Sequence, residues 1–238
     1  MTVSVFFPLR AGSTRVNRKN TRKFTPRGQS LFELKLSQIK RIADRFLEVI
    51  VSTNDASVIE QFAVHREAHP GVCIVERPEH LCLSTTPVEE LIDYAPTVCS
   101  GDWILWLHAT SPYIDERWFE TALEFTEDEG KLSRHDSAMT VNPIQQFLWS
   151  ETKKNIINAD RRKNPWPNTQ DLDPLFEINH GLYIFRRSGY IESRDRIGKT
   201  PYLIKCKGLQ AIDIDWPDDF KIAQTLFGLY ETTARHEV

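Results

Sequence analysis

The chain has 238 residues, of which 40% are hydrophobic and 26% are charged, a composition typical of a globular protein that buries a sizeable core. A formal net charge of -3 argues against a general nucleic-acid-binding protein, and no apolar run approaches the length of a membrane span. No signal peptide is visible, so we expect a cytoplasmic protein. The four cysteines show no CxxC spacing, which favours buried free thiols over disulfides or a metal site.

Apolar and amphipathic segments alternate along the first 141 residues. Short apolar runs predict strands, and segments with one apolar stripe predict helices. The predicted strands are 3–7, 47–52, 72–75, 103–107 and 138–141. The predicted helices are 31–46, a helix from its cap at 53–55 to about residue 68, 88–98 and 115–127. This alternation predicts an α/β protein with a single, mainly parallel twisted sheet covered by helices on both faces.

The pattern changes after the fifth predicted strand. Residues 143–178 are polar and rich in proline, with Trp149 and Trp166 among charged residues. Further strands are predicted at 181–185, 203–205 and 211–214, followed by a final helix over 215–230. We interpret 1–238 as one domain and 143–178 as an arm that forms a homodimer, because aromatic residues in a polar arm often bury themselves in a partner subunit. A surface loop folded on its own domain is the alternative.

A loop rich in cations and small residues follows the first predicted strand. Cations attract anions, and small residues let a backbone approach a ligand closely. Arg10, Arg15 and Lys19 would neutralise a triphosphate, while Gly12 and Ser13 would offer backbone N–H groups to it. The loop contains neither GxxxxGK[ST] nor GxGxxG. A solvated basic turn is the alternative.

Two acidic residues, Asp213 and Asp215, come at the end of an apolar segment. At this spacing on a strand, two carboxylates lie on the same face and repel each other unless a cation lies between them. Magnesium on a nucleotide fits, because it accepts one or two carboxylates and takes its other ligands from phosphates and water. In the alternative reading, Asp215 caps the final helix and Asp213 is merely exposed.

A third candidate feature is the end of the strand at 103–107. His108, Thr110 and Ser111 follow it, at the position where open α/β sheets bind ligands. His108 is a candidate to hydrogen-bond a substrate or to act as a base. A packed core histidine is the alternative.

Five blocks of the sequence occur in the order found in one enzyme family. They are FPLRAGSTRVNRKN (7–20), VIVSTND (49–55), ERP with Leu81, LHATSPYID (107–115), and the ending formed by TQDLDPLFEINHGLYIFRR (169–187) and DIDWPDDFKIA (213–223). Together they resemble the sugar-acid cytidylyltransferases, especially the acylneuraminate cytidylyltransferases (CMP-sialic acid synthetases). The resemblance spans nearly the whole chain.

The resemblance implies a nucleotidyltransferase that uses CTP and Mg²⁺. A sugar-acid hydroxyl, of the sialic acid-like nonulosonate class, would attack the α-phosphate of CTP and release pyrophosphate. Residues carried over by motif position are, for CTP, Arg10, Ser13, Lys19, Asn20 and Arg77; for the metal, Asp213 and Asp215; and for the acceptor, the 108–111 segment with Asn179. We expect Lys19, Arg10 and Asp215 to carry catalysis, because phosphoryl transfer depends mainly on positioning and charge neutralisation.

Several positions depart from the family pattern. His108 replaces a glutamine, Ala109 and Asn17 replace prolines, Ser84 replaces an aspartate, and His180 replaces a glycine. Most of these lie where they would shape the acceptor or base pocket, so nucleotide handling is better supported than acceptor identity. The alternatives are a degenerate protein that binds a nucleotide or CMP-sugar, and a cytidylyltransferase for Kdo or a phosphonate.

Overall fold

The computed structural model describes residues 1–12, 15–68 and 71–234. Its strands are β1 (Val3–Pro8), β2 (Glu48–Thr53), β3 (Val72–Glu76), β4 (Trp103–Leu107), β5 (Ser137–Ile144), β6 (Trp149–Ser150), β7 (Asn155–Ile156), β8 (Leu175–Arg186) and β9 (Pro201–Lys205). Its helices are α1 (Leu31–Lys40), α2 (Ala56–His65), α3 (Val88–Val98), α4 (Glu116–Glu127), α5 (Glu129–Leu132), α6 (Arg187–Ser193) and α7 (Pro217–Ala234). Within these ranges, no helix is both long and apolar enough to cross a membrane.

Seven of these strands form one sheet in the order β3-β2-β1-β4-β8-β5-β9. Strand β8 is antiparallel to both of its neighbours, whereas the other strand pairs in this sheet are parallel. The mainly parallel α/β fold predicted from the sequence is therefore confirmed. Because Leu182 of β8 pairs with Leu107, the residues just before Leu182 lie beside the carboxyl end of β4.

The core lies on both faces of the two central strands. Phe7 of β1 and Leu105 of β4 belong to one buried cluster, which includes apolar residues of α1, α4 and α7. Phe6 and Trp106, whose side chains point to the other face, belong to a second cluster with residues of α3 and Tyr190 of α6. Side chains alternate between the two faces of a strand, so continuous apolar runs are needed where both faces are covered.

Helix α1 ends earlier than predicted. It ends at Lys40 rather than near residue 46, and a 3₁₀ turn over Ala43–Arg45 follows. Ile42 leaves the helical region of the backbone at φ -130° and ψ 31°. This break lets Ile42 and Phe46 pack into the same core cluster as the helix, so tertiary packing overrides the helical periodicity.

The predicted strand at 211–214 is wrong. The chain forms a 3₁₀ turn over Gly208–Ala211 and then runs extended without joining the sheet. The backbone N–H of Ile214 instead donates to the Thr110 carbonyl oxygen at 3.0 Å. The segment therefore crosses to the carboxyl end of β4, which is what brings Asp213 and Asp215 to the candidate site.

The ends of segment 143–178 belong to the sheet. Strand β5 continues through Ile144, which pairs with Leu175 at the start of β8. Between them lie the small β6–β7 hairpin and Asn158, whose buried amide donates to the Gln146 carbonyl oxygen at 2.7 Å. The arm, as we call 143–178 from here on, thus has internal order of its own.

The four cysteines are free thiols. Cys82, Cys99 and Cys206 are buried, as predicted, but Cys73 is exposed. The exception arises because Cys73 lies on β3, the edge strand of the sheet.

Candidate active site

The loop after β1 lies across the carboxyl ends of β1 and β2. The Leu9 N–H donates to the Ser52 carbonyl oxygen at 2.9 Å, and the Ala11 N–H donates to Oδ1 of Asn54 at 3.0 Å. Gly12 has a φ of +75°, a left-handed conformation that favours glycine. At the far end of the loop, the Asn20 carbonyl oxygen accepts from the Phe32 N–H in the first turn of α1.

A cleft of about 200 Å³ lies between this loop and the end of β4. We call it the loop cleft; it is lined by Pro8, Leu9, Arg10, Arg15, Val16, Lys19, Asn20, His108, Ala109, Thr110 and Asp215. A smaller cleft of about 140 Å³ adjoins it and includes Gly12 and Asn20. Predicted site residues from three distant parts of the sequence therefore meet here. Ser13, also predicted to bind the nucleotide, lies outside the described residues.

Cations outnumber anions in the loop cleft. The Lys19 ammonium donates to the Ile214 carbonyl oxygen at 2.7 Å and lies 3.9 Å from Oδ1 of Asp215. Arg15 lies 3.4 Å from the same carboxylate oxygen, and its guanidinium packs over the Trp216 ring. Arg10 forms no ion pair with a carboxylate of the described residues. Burial lowers the pKa of Lys19 because it destabilises the charged ammonium, whereas the Asp215 carboxylate opposes that shift. A further anion bound here would also stabilise the charged ammonium.

A second cleft, of about 490 Å³, shares Asp215 with the first. We call it the carboxylate cleft; it is lined by Asn142, Glu177, Ile178, Asn179, His180, Ala211, Ile212, Asp213, Asp215, Trp216, Asp219 and Ile222. Burial raises the pKa of the Asp213 carboxyl, a hydrogen bond from Thr110 opposes the rise, and the Asp215 carboxylate adds to it. A cation bound between the two carboxylates would relieve this repulsion.

The structure leaves the Asp215 carboxylate free of a capping role. Oδ2 of Asp219 accepts from the backbone N–H groups of Asp215 and Trp216, at 3.0 and 2.7 Å, just before α7. Asp213 and Asp215 offer the hard oxygen ligands that Mg²⁺ prefers. No group of three or more candidate ligands occurs within the described ranges. The donor set therefore fits an ion that takes its remaining ligands from phosphates and water.

Arg77 lies beneath the loop rather than in the loop cleft. Its side chain is only 4% exposed. Its guanidinium donates to Oγ of Ser52 at 3.1 Å and to the carbonyl oxygens of Leu9 and Ser52 at 3.1 and 2.5 Å. These bonds tie the ends of β1 and β2 together. The role predicted for Arg77 in binding the nucleotide stays a prediction.

The predicted acceptor residues are only partly brought together. His108 and Thr110 line the loop cleft and Asn179 lines the carboxylate cleft, with its amide donating to Oδ1 of Asn142 at 2.8 Å. Ser111 is buried away from both clefts, and its carbonyl oxygen accepts from the Lys35 ammonium at 3.0 Å.

A cluster not foreseen from the sequence lies beside both clefts. Nη1 of Arg196 is 3.5 Å from Nε2 of His108, and Nη2 is 3.4 Å from Nδ1 of His180. The guanidinium carbon lies 4.2 Å from the centre of the Tyr183 ring and 5.1 Å from that of Trp106. We call these five side chains the arginine–histidine cluster. In the sequence, Arg196 belongs to the charged run Arg194-Asp195-Arg196, a pattern typical of a solvated turn.

Both imidazoles of the cluster are held neutral. Burial, followed by the Arg196 guanidinium, holds the pKa of His108 well below its usual range. The same two causes, in the same order, lower the pKa of His180. Near neutral pH the cluster therefore carries one positive charge, on Arg196.

No protein-family model matches the chain. A curated relative, the CMP-N,N'-diacetyllegionaminic acid synthase of Legionella pneumophila, is 26% identical over 246 residues, which cover 96% of this chain and 97% of that protein. The similarity to this relative thus extends over nearly the whole of both chains.

Solved structures show the same fold. The CMP:2-keto-3-deoxy-manno-octonic acid synthetase in complex with CTP matches with a TM-score of 0.65 and 16% identity, over 97% of this chain and 100% of that chain. The 4-diphosphocytidyl-2C-methyl-D-erythritol synthase of Anaerococcus prevotii matches with a TM-score of 0.65 and 12% identity, over 94% and 97% of the two chains. This chain therefore shares the fold of these two proteins. The resemblance to the sugar-acid cytidylyltransferases predicted from the motifs is confirmed by the curated relative.

Proposed function

We propose that this chain transfers CMP from CTP to the hydroxyl of a sugar acid of the sialic acid-like, nonulosonate class. The observation that carries the proposal is the loop cleft, which brings Arg10, Arg15 and Lys19 together opposite Asp215. This arrangement suits a polyphosphate bound with a divalent cation. The curated relative, named for the synthesis of a CMP-linked diacetyllegionaminic acid, supports the acceptor class.

In this reaction the acceptor hydroxyl loses its proton to water and its oxygen forms a bond to the α-phosphorus of CTP, while the bond from that phosphorus to the bridging oxygen of the β-phosphate breaks. Negative charge develops on the leaving pyrophosphate. Arg10 and Lys19 line the loop cleft and would stabilise that charge, while the protein holds the two substrates in line. Asp215 lines both clefts, which supports a transfer at their junction.

Asp213 and Asp215 would hold Mg²⁺ at this junction. When bound, the ion would neutralise phosphate charge next to the reacting α-phosphate. Burial raises the pKa of Asp213 and the Asp215 carboxylate adds to the rise, which supports such a site because a cation near the pair would stabilise both charged carboxylates.

The acceptor would occupy the carboxylate cleft. Its volume of about 490 Å³ is within the range of small-molecule sites, and Asn142 and Asn179 offer polar groups on its wall. The Thr110 hydroxyl bonds to Asp213, so it would act mainly by orienting a metal ligand.

The arm would form a homodimer. Trp149 and Trp166 are 58% and 68% exposed, a large apolar area for a single-chain surface. Indole rings are enriched at the cores of subunit interfaces, which supports this role.

Pyrophosphate release tests the proposed function. Purified protein would be given CTP, Mg²⁺ and, in turn, N-acetylneuraminate, legionaminate, pseudaminate, Kdo and a phosphonate, with ATP, GTP and UTP as control nucleotides. We expect release that requires CTP and at least one nonulosonate and that stops when EDTA removes the metal. Asp213→Asn should require a higher Mg²⁺ concentration, whereas Asp218→Asn, a change of an exposed neighbour paired with Lys221, should not. Folded protein that releases no pyrophosphate with any acid would refute the proposal.

A further inference from the structure

We propose that Arg196, held between His108 and His180, binds the carboxylate of the acceptor sugar acid. The inference rests on the proposed function and adds a residue that sets the choice of acceptor.

Arg196 is a cation without an anion. Its recorded side-chain partners are two imidazole nitrogens and two aromatic rings, and it forms no ion pair with a carboxylate of the described residues. The N···N distances of 3.5 and 3.4 Å exceed the range of about 2.7–3.2 Å typical of strong hydrogen bonds to N–H donors. The N–H donors of the planar guanidinium are therefore available to a carboxylate, whose two oxygens can accept two parallel hydrogen bonds from it.

The cluster lies where an acceptor carboxylate must bind. His108 lines the loop cleft and His180 lines the carboxylate cleft, so Arg196 contacts a wall residue of each. In the ring form of a 2-keto sugar acid, the carboxylate is attached to the carbon that carries the reacting hydroxyl. A hydroxyl placed at the junction of the clefts thus requires a carboxylate site close by, and Arg196 offers one.

The surroundings hold Arg196 in place. The guanidinium lies over the rings of Tyr183 and Trp106, which provides cation–π attraction. His180 has a φ of +54°, a conformation that is costly for a residue with a side chain. Its Nδ1 lies 2.6 Å from the Tyr183 hydroxyl, which fixes the ring. Backbone strain of this kind is concentrated at functional sites.

Arg10, Arg15 and Lys19 already line the loop cleft, so the phosphates do not require Arg196. The test must therefore separate binding of the acid from binding of CTP. The test variant is Arg196→Gln. A second variant, Arg196→Lys, retains the positive charge but lacks the planar set of N–H donors. Arg186→Gln is the matched control, because Arg186 also stacks on an indole of β4, that of Trp103 at the other end of the strand.

For each protein, kcat and KM for acid and for CTP would be measured, together with binding of N-acetylneuraminate and N,N'-diacetyllegionaminate to the CTP-loaded protein by calorimetry. Losing a charge-assisted hydrogen bond typically weakens binding about 10- to 100-fold. We expect Arg196→Gln to raise KM for the acid by about that factor while leaving KM for CTP within about twofold. Arg196→Lys should recover part of the loss, and Arg186→Gln should behave as the wild type.

A carboxamide analogue of the acid gives a second readout. The wild type should strongly prefer the acid to the carboxamide, and Arg196→Gln should lose most of that preference, which a merely structural role would not predict. An unchanged preference, or an equal loss of CTP and acid binding, would overturn the inference. If the wild type binds an acid without turnover, the proposed function fails, but the affinity lost in Arg196→Gln still tests Arg196. A wild type that binds no acid overturns the inference directly.

Discussion

Lys19 is the residue on which the nucleotide site depends most. Its ammonium lies in the loop cleft, and its strongest recorded contact is a neutral carbonyl oxygen, that of Ile214 at 2.7 Å. We expect Lys19→Met to lower kcat/KM for CTP by about 100- to 1,000-fold, the usual cost of removing one group that stabilises transition-state charge. Steady-state kinetics would measure the loss.

Lys23→Met is the matched control, because Lys23 follows the same loop but has an exposed side chain. It should retain wild-type kinetics. If the two variants lose activity equally, the effect is a general one on loop folding or charge, and the specific role of Lys19 is wrong.

Lys35 is a second informative lysine, because it is fully buried in α1. Its ammonium donates to the carbonyl oxygens of Ser111 and Ile114 at 3.0 and 2.5 Å. Burial lowers its pKa to about 7. Above this pH the folded chain releases the proton, whereas the unfolded chain keeps it until pH approaches about 10.4. The free energy of unfolding should therefore rise with pH through this window.

We predict that the difference in unfolding free energy between the wild type and Lys35→Met shifts in favour of the wild type from pH 7 to pH 9. The slope should reach at most about 1.4 kcal/mol per pH unit, the value for one proton. Urea unfolding at pH 7, 8 and 9 measures it, and the variant cancels contributions from other titrating groups. A difference that stays constant with pH would contradict the lowered pKa.

At the scale of elements, α1 positions the end of β4. Lys35 holds the turn after β4, and Nε2 of Gln38 donates to the Pro112 carbonyl oxygen at 2.8 Å. Sequence periodicity predicts the helix but not this buried polar face, because lysine and glutamine on a helix are normally solvated. His108 and Thr110 immediately precede the turn, so α1 indirectly sets their position.

The loop after β1 depends on the backbone of Gly12. A Cβ there would meet no atom of the residues that the structure describes within 4 Å, so the φ of +75° is the constraint rather than space. Alanine in this conformation costs about 1–2 kcal/mol. We predict that Gly12→Ala raises the Kd for CTP about 5- to 10-fold, measured by calorimetry, because part of this strain is relieved by moving the loop. Gly71→Ala, which lies outside this loop and whose Cβ would also meet no atom of the described residues within 4 Å, should leave the Kd unchanged, and equal effects of both changes would contradict this account.

The elements also show what the sequence could predict. Strand β4 and helix α3 coincide with their predicted bounds because continuous apolar runs and a single amphipathic stripe are local signals. The loop residues and the Asp213–Asp215 pair are likewise recognisable from short motifs. The arginine–histidine cluster is not, because it depends on the antiparallel pairing of β8 with β4, which no local pattern specifies.

At the scale of the whole molecule, the arm predicts a homodimer. Replacing both Trp149 and Trp166 by serine should shift the protein towards monomer in sedimentation velocity, because each change removes a large exposed apolar ring. Val64→Ser is the control, since Val64 is 79% exposed on α2, outside the arm. A monomeric wild type at tens of micromolar, or a double variant as dimeric as the wild type, would contradict the role of the arm.

The fate of the α-phosphate of CTP tests the proposed transfer most directly. CTP labelled at the α-phosphate would be incubated with the protein, Mg²⁺ and a nonulosonate, and the products separated. We expect the label to appear in a CMP-linked acid, in amounts equal to the pyrophosphate released and only when the acid is present. Label that stays in CTP, or that appears as free CMP regardless of the acid, would contradict it.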